Sequence, residues 1–334
     1  MRYHPMQLLA LLVTAITTLD STGRPSLMPA TAHAAEKVAL MSGSVTIVGP
    51  STAVPAQPKL DVLSEAVTKK LGSMMLYMPA GLSMPKDGSY DLIVHFHGGS
   101  QIMNPQVDGT NFVLVTVNLG IGSGVYNDRF AAPQALEQLL STIDRAVAES
   151  GPTRTAKRRH LALSAWSAGY GALQQLLSHE QNLAHIDGLY LLDGLHASLD
   201  PNTRKRAVFP ASLDAFVRYA RLAARGEKRM LVTHSAIETY DYASTTESAR
   251  YLVNELGLPA CKDAPEPGAM RATQCHRRGE LRVNGYAGND APAHCQHVRQ
   301  WKSLVVEPLA AAWSPKSPKP SARLTARAHA STML

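Results

Sequence analysis

The residues best suited to do chemistry lie in the segment L-A-L-S-A-W-S-A-G-Y-G-A-L, residues 161–173. A strand-like apolar run enters the small-x-Ser-x-Gly stretch from Ala165 to Gly169, and a helical pattern follows it. A strand turning tightly into a helix around Ser167 would hold that serine in a strained backbone conformation and present its hydroxyl at the sheet edge, where it can serve as a nucleophile. Ala165 and Gly169 are small enough for strand and helix to approach closely. The helix points its positive N-terminus at the site, and the Ala168 amide can donate to a developing oxyanion. Earlier in the chain, Y-D-L-I-V-H-F-H-G-G-S at residues 90–100 ends another strand-like run in His97-Gly98-Gly99. Glycines there let backbone amides turn toward a substrate carbonyl without a side chain in the way.

These residues need elements to hold them. Short runs rich in Val, Leu, Ile and Tyr predict strands at 73–78, 91–95, 112–117, 160–163, 188–192, 229–233 and 281–283. Helical patterns alternate with them at 132–149, 169–178, 212–225, 246–256 and 294–312. The best is 132–149, where Leu136, Leu139, Leu140, Ile143 and Val147 fall on one face. Strands alternating with helices predict an α/β fold, a mostly parallel sheet covered on both faces, with ligands bound beyond the carboxyl ends of the strands. No repeat at a fixed period argues for a solenoid or propeller. The polar segment 197–210, with Arg204, Lys205 and Arg206, is expected to form a modest cap with the helix after it.

The strand, the small-x-Ser-x-Gly turn and the helix together resemble the nucleophile elbow of α/β-hydrolases, and His97-Gly98-Gly99 resembles the oxyanion loop of esterases and lipases in that superfamily. The resemblance covers residues 75–313, and it departs from G-x-S-x-G at its first position, where Ala165 stands. It implies an α/β-hydrolase fold and acyl transfer to water, with Gly98 or Gly99 and Ala168 stabilising the oxyanion. It also implies a chain order of serine, acid, histidine, so the partners of Ser167 must follow it.

For the acid, the strand G-L-Y-L-L runs directly into Asp193-Gly194, which puts a carboxylate at a strand's carboxyl end where it can orient an imidazole. Glu238 and Asp241, after the next strand, are the alternatives. For the base, His294 stands where the loop after the last strand meets a helix, the place the resemblance assigns to the catalytic histidine. His297 is its rival, and His196 and His234 are further candidates. His95 and His97 read as structural. Asp290, His294 and His297 have a spacing compatible with a metal, yet no H-E-x-x-H or comparable signature accompanies them. The glycine-rich segment 117–128 lacks the Gly-Lys-Ser/Thr of a phosphate cradle and reads as a loop flanking the pocket, with Tyr126 as a substrate contact. No cofactor is implied.

The 334-residue chain carries +7 at pH 7, but the charge is unevenly placed. Lys316, Lys319, Arg323 and Arg327, with no acid among them, supply +4, and Arg2 and Arg24 against Asp20 supply +1, leaving +2 for the body. A nearly neutral body argues against nucleic acid as a partner, which needs a concentrated basic face. Residues 1–34 read as a signal peptide: Arg2, an apolar run over 8–19, too short to span a bilayer, and Ala32-His33-Ala34 as a cleavage site. Residues 36–313 then form the catalytic domain and 314–334 a disordered, basic, Pro-rich tail. Export to a secreted or periplasmic location follows, with no stable membrane span once the signal is removed. Of Cys261, Cys275 and Cys295, the first two flank a Pro- and Gly-containing stretch and are the favoured disulfide, though spacing does not decide the pairing. The substrate expected is a small-molecule or polymeric ester, with a peptide or cell-wall amide as the alternative and a non-catalytic binding module as the other.

Overall fold

A computed structural model describes residues 60–262 and 270–314. The proposed leader, and all but Ser314 of the proposed tail, lie outside the described residues. Eleven strands are present among these residues: β1 Leu60–Val62, β2 Val67–Leu71, β3 Met74–Met78, β4 Ser83–Pro85, β5 Ser89–Phe96, β6 Phe112–Val117, β7 Lys157–Trp166, β8 Gly188–Leu192, β9 Arg229–His234, β10 Ala272–Arg278 and β11 Leu281–Tyr286. The α-helices are α1 Ser100–Met103, α2 Gly124–Phe130, α3 Ala135–Ser150, α4 Tyr170–Ser178, α5 Glu180–Leu183, α6 Asp214–Ala224, α7 Thr245–Glu255, α8 Ala291–Arg299 and α9 Glu307–Trp313.

Nine strands form one sheet in the order β2-β3-β6-β5-β7-β8-β9-β11-β10. From β6 to β11 neighbouring strands run parallel. β3 joins β6 antiparallel and β2 joins β3 antiparallel at one edge, and β10 joins β11 antiparallel at the other. This is the α/β-hydrolase fold. The central strands are apolar almost throughout because both faces are covered. Successive residues of β5 enter different cores: Leu92, Val94 and Phe96 pack with α3, α4 and α6, while Ile93 packs with Trp301, Val305 and Leu309 on the opposite face. The predicted stripe of α3 is buried as expected, with Leu136, Leu139, Leu140, Ile143 and Val147 all inside.

The structure differs from the sequence reading in several elements, among them the short strands β1, β2 and β4, which were not predicted. The helix expected to run unbroken over 294–312 is α8, a π-helical stretch Lys302–Val306, and α9. Pro308 lies in the first turn of α9, where its missing N–H costs nothing, while the wider π turns before it absorb the change in register. Segment 117–128 is not wholly loop, since α2 occupies its second half. The edge strand β10, A-T-Q-C-H-R-R, was unpredicted because an edge carries polar residues instead of an apolar run. Cys261 is disulfide-bonded to Cys275 within β10, and Cys295 is a buried free thiol.

Candidate active site

Among the described residues three other than glycine have left-handed backbone: His97 (φ 65°), Ser167 (φ 50°) and Asp193 (φ 43°). Each immediately follows the carboxyl end of a central parallel strand: β5, β7 and β8. Such a conformation costs on the order of 1–3 kcal/mol per residue and persists only where the surroundings over-determine it. Here they do. His97 N–H donates to Val117 O at 2.9 Å, and Asp193 N–H donates to Thr233 O at 3.0 Å. At the elbow, close packing does the same work. A Cβ on Gly169 would lie 2.3 Å from Phe96 O, and one on Gly194 would lie 2.8 Å from both N and O of Ser167. The end of β5, the elbow and the Asp193-Gly194 turn therefore touch through positions where only glycine fits.

Asp193 and His294 are brought together. Asp193 Oδ2 accepts from His294 Nδ1 at 2.7 Å, and both side chains are buried. Asp193 Oδ1 accepts from the Ser235 amide at 2.8 Å and the Thr245 hydroxyl at 2.7 Å, which fixes the carboxylate plane. Burial pushes the Asp193 carboxyl up; the His294 hydrogen bond, the nearby His297 and His294 charges and the Thr245 hydroxyl outweigh it and hold the group well below the ordinary carboxylate range. An ionised Asp193 can only accept, so the proton of this hydrogen bond sits on Nδ1, which leaves Nε2 as the ring nitrogen free to accept. That Nε2 is buried and has no hydrogen-bond partner among the described residues.

Ser167 adjoins this pair through its neighbours. Trp166 stacks on His294 with ring centroids 4.8 Å apart, and its indole N–H donates to His294 O at 3.1 Å. The same indole also stacks on His97, with ring centroids 5.3 Å apart. Trp166 thus joins the His97 loop, the Ser167 turn and His294, contacts the sequence reading missed because the position before the serine is a free one in the motif. No hydrogen bond joins the Ser167 hydroxyl to His294, a contact that often tightens only when substrate binds.

Gly98 and Gly99 follow His97 in the loop packed against the elbow, and neither amide donates to an acceptor among the described residues. Ala168 supplies the first amide beyond the serine. His97 Nδ1 contacts the Tyr126 hydroxyl at 3.0 Å, and that hydroxyl accepts from Leu119 N–H at 3.1 Å. Tyr126 is fully buried and bonded to His97 and Leu119, so it anchors the His97-Gly98-Gly99 loop from inside, where the sequence reading expected a substrate contact. His95 contacts the Ser164 hydroxyl at 3.1 Å, which also accepts from the Trp301 indole at 2.9 Å, behind the loop.

The alternative acids and bases are placed elsewhere. Glu238 and Asp241 are exposed in the loop after β9. His297 contacts Thr233 Oγ1 at 2.7 Å, and that same oxygen accepts from the Asp193 amide at 3.1 Å, so His297 braces the acid from behind. Asp290 caps α8 by accepting from Ala293 N–H at 2.9 Å. Asp290, His294 and His297 are thereby committed to three different partners. Among the described residues no helix is long and apolar enough to cross a membrane.

No protein-family model matches the sequence, and no curated protein matches it. Among solved structures the chain is similar to Thermogutta terrifontis esterase 2 phosphonylated by sarin, with TM-score 0.41 and 15% identity over 75% of this chain and 97% of that one. It is similar also to the same organism's thermophilic esterase with butyrate bound (TM-score 0.39, 16% identity, 75% and 96% covered). A third is esterase B from Lactobacillus Rhamnosis (TM-score 0.32, 13% identity, 60% and 73% covered). The fold rests on the strand order given above and not on these distant likenesses.

Proposed function

We propose that this chain is an exported serine hydrolase that cleaves carboxylic esters through an acyl-enzyme. Ser167 attacks the ester carbonyl while His294 Nε2 takes the hydroxyl proton. Asp193 holds the imidazole in the required tautomer and stabilises the imidazolium that forms. The negative charge on the carbonyl oxygen is met by the amides of Ala168 and of Gly98 or Gly99. Collapse of the tetrahedral intermediate expels the alcohol, which takes its proton from His294. Water then repeats the sequence on the acyl-enzyme and frees the acid and Ser167.

The observation that supports this most is the buried Asp193–His294 hydrogen bond beside a left-handed Ser167. The esterase names of the distant structural matches accord with it without carrying it. The Cys261–Cys275 disulfide favours an oxidising compartment and so accords with export. The test is turnover of a panel of p-nitrophenyl esters and peptide anilides by the mature protein and by Ser167→Ala. Ester turnover lost in the variant is the expected result, while preference for anilides, or turnover that survives the substitution, overturns the ester reading.

A further inference from the structure

The segment after Asp193-Gly194 and the loop after β9 meet over the acid and base. Ala197 pairs with Ala243, and Leu199 pairs with Val208, so residues 195–210 fold into a small hairpin against loop 235–243. One side chain ties the two together. Arg206 donates to Thr239 O at 2.7 Å, Tyr240 O at 3.0 Å and Tyr242 O at 2.8 Å. It also grips Glu247, Nε to Oε1 at 2.6 Å and Nη2 to Oε2 at 3.0 Å. Glu247 in turn accepts from the Ser244 amide at 2.7 Å, the capping box that starts α7. The next residue, Thr245, is the one whose hydroxyl meets Asp193.

Between hairpin and loop lies a cleft of about 70 Å³ that reaches Asp193 and His294, walled by His196, Ile237, Tyr240 and Tyr242. Its volume is room for a group of only a few heavy atoms. His196 stands edge-on to Tyr242 at 5.0 Å and to Tyr170, at the start of α4, at 5.4 Å, so this wall joins the elbow helix to the loop. Burial holds His196 neutral, its value pushed down to about 4. The cleft thus offers aromatic and aliphatic walls beside the hydroxyls of Ser235, Thr239 and Thr245 and the Glu238 carboxylate, and its lining holds no lysine or arginine to draw in an anionic group.

We propose that Arg206 is a positioning and specificity-determining residue: by drawing three carbonyls of loop 239–242 onto one guanidinium it sets the width of this cleft and restricts the substrate there to a short group that carries no negative charge. The inference rests on the serine-hydrolase reading for its kinetic consequence. Only arginine has donors enough in a planar fork for three carbonyls and a carboxylate; a lysine ammonium serves at most part of the set. The guanidinium is 38% exposed, so its ion pair adds little to global stability, and the consequence of losing it is local.

The test compares Arg206→Met and Arg206→Lys with the full-length wild type on p-nitrophenyl acetate, butyrate and octanoate, alongside hydrogen exchange of loop 236–243. In Arg206→Met, KM for the butyrate is expected to rise about tenfold with kcat changed less than threefold. Its preference for butyrate over octanoate falls by a similar factor, and the loop amides exchange faster. Arg206→Lys is expected to lie between. Unchanged KM and chain-length preference in a folded Arg206→Met protein overturn the specificity role. Should wild type turn over no ester at all, the serine-hydrolase reading fails instead, and the exchange data alone decide the clamp: unchanged protection of 236–243 overturns it.

Discussion

Among the described residues, two aspartate–histidine hydrogen bonds of nearly equal length lie at opposite ends of the same sheet. At the carboxyl ends of the strands, Asp193 meets His294 at 2.7 Å, with side chains 2% and 5% exposed. At the other end, Asp91 meets His160 at 2.8 Å, with 6% and 36% exposure. Asp91 also takes Arg159 in two bonds, at 2.6 and 3.1 Å, and His160 lies flat on Trp313. The distance is the same and the chemistry is not. At Asp91 the carboxylate is already neutralised by a guanidinium, and the histidine has a wet, exposed edge. At Asp193 the carboxylate has one imidazole as its principal partner, that imidazole has a buried unpartnered nitrogen, and a strained serine lies alongside. What distinguishes the pair fit for catalysis is therefore the company it keeps, not the hydrogen bond.

The contrast is broken most severely at the serine. Ser167→Ala is expected to lower ester kcat by about 10⁴-fold or more, measured by steady-state hydrolysis of p-nitrophenyl butyrate. Asp193→Asn is expected to cost about 10⁴-fold, since an amide can hold the imidazole in the wrong tautomer with the fold intact; activity within tenfold of wild type contradicts the role of the pair. Trp166→Phe keeps an aromatic ring to stack on the two imidazoles but removes the donor to His294 O. A fall in kcat of about tenfold with KM within twofold is expected, the scale of one neutral hydrogen bond.

A smaller effect is in stability against pH. Burial lowers His95 to about 3, and His97 and His297 to about 4, so the folded protein keeps them neutral. The unfolded chain protonates them below about 6.5, so it binds more protons than the native state between about 6.5 and 4. Stability is complete above that window and falls through it as the pH drops, by up to about 1.4 kcal/mol per pH unit for each such histidine. Thermal melts of His297→Gln should show a shallower fall than wild type between pH 6.5 and 4, whereas parallel curves would remove His297 from the account. Smallest of all is His160→Ala, expected to leave kcat within twofold and to cost less than about 1 kcal/mol in a urea melt, because Arg159 still satisfies Asp91.

The sequence made much of this site readable for a physical reason. The elbow and Asp193-Gly194 each directly follow an apolar strand that announces its own end, so the residue just beyond it is placed by the strand, while His294 was legible from the loop-to-helix junction that follows the last strand. The long stripe of α3 was equally plain. Less visible was whatever depends on tertiary partners. β2, V-T-K-K-L, carries two lysines on an edge and reads as nothing in particular. Tyr126 looked like a residue beside the pocket, and only packing reveals that a glycine-initiated helix turns it inward to His97. The brace from His297 through Thr233 to Asp193, and the stacking of Trp166 on two imidazoles, join residues forty or more positions apart, and no local pattern encodes them.

The most direct test of the central claim is labelling of the folded protein by a fluorophosphonate, with the modified peptide identified by mass spectrometry in wild type, Ser167→Ala and His294→Ala. The account predicts label on Ser167 in wild type, none in Ser167→Ala, and a rate lowered by orders of magnitude in His294→Ala. Label on another residue, no label on folded wild type, or full-rate labelling of Ser167 without His294 would contradict it.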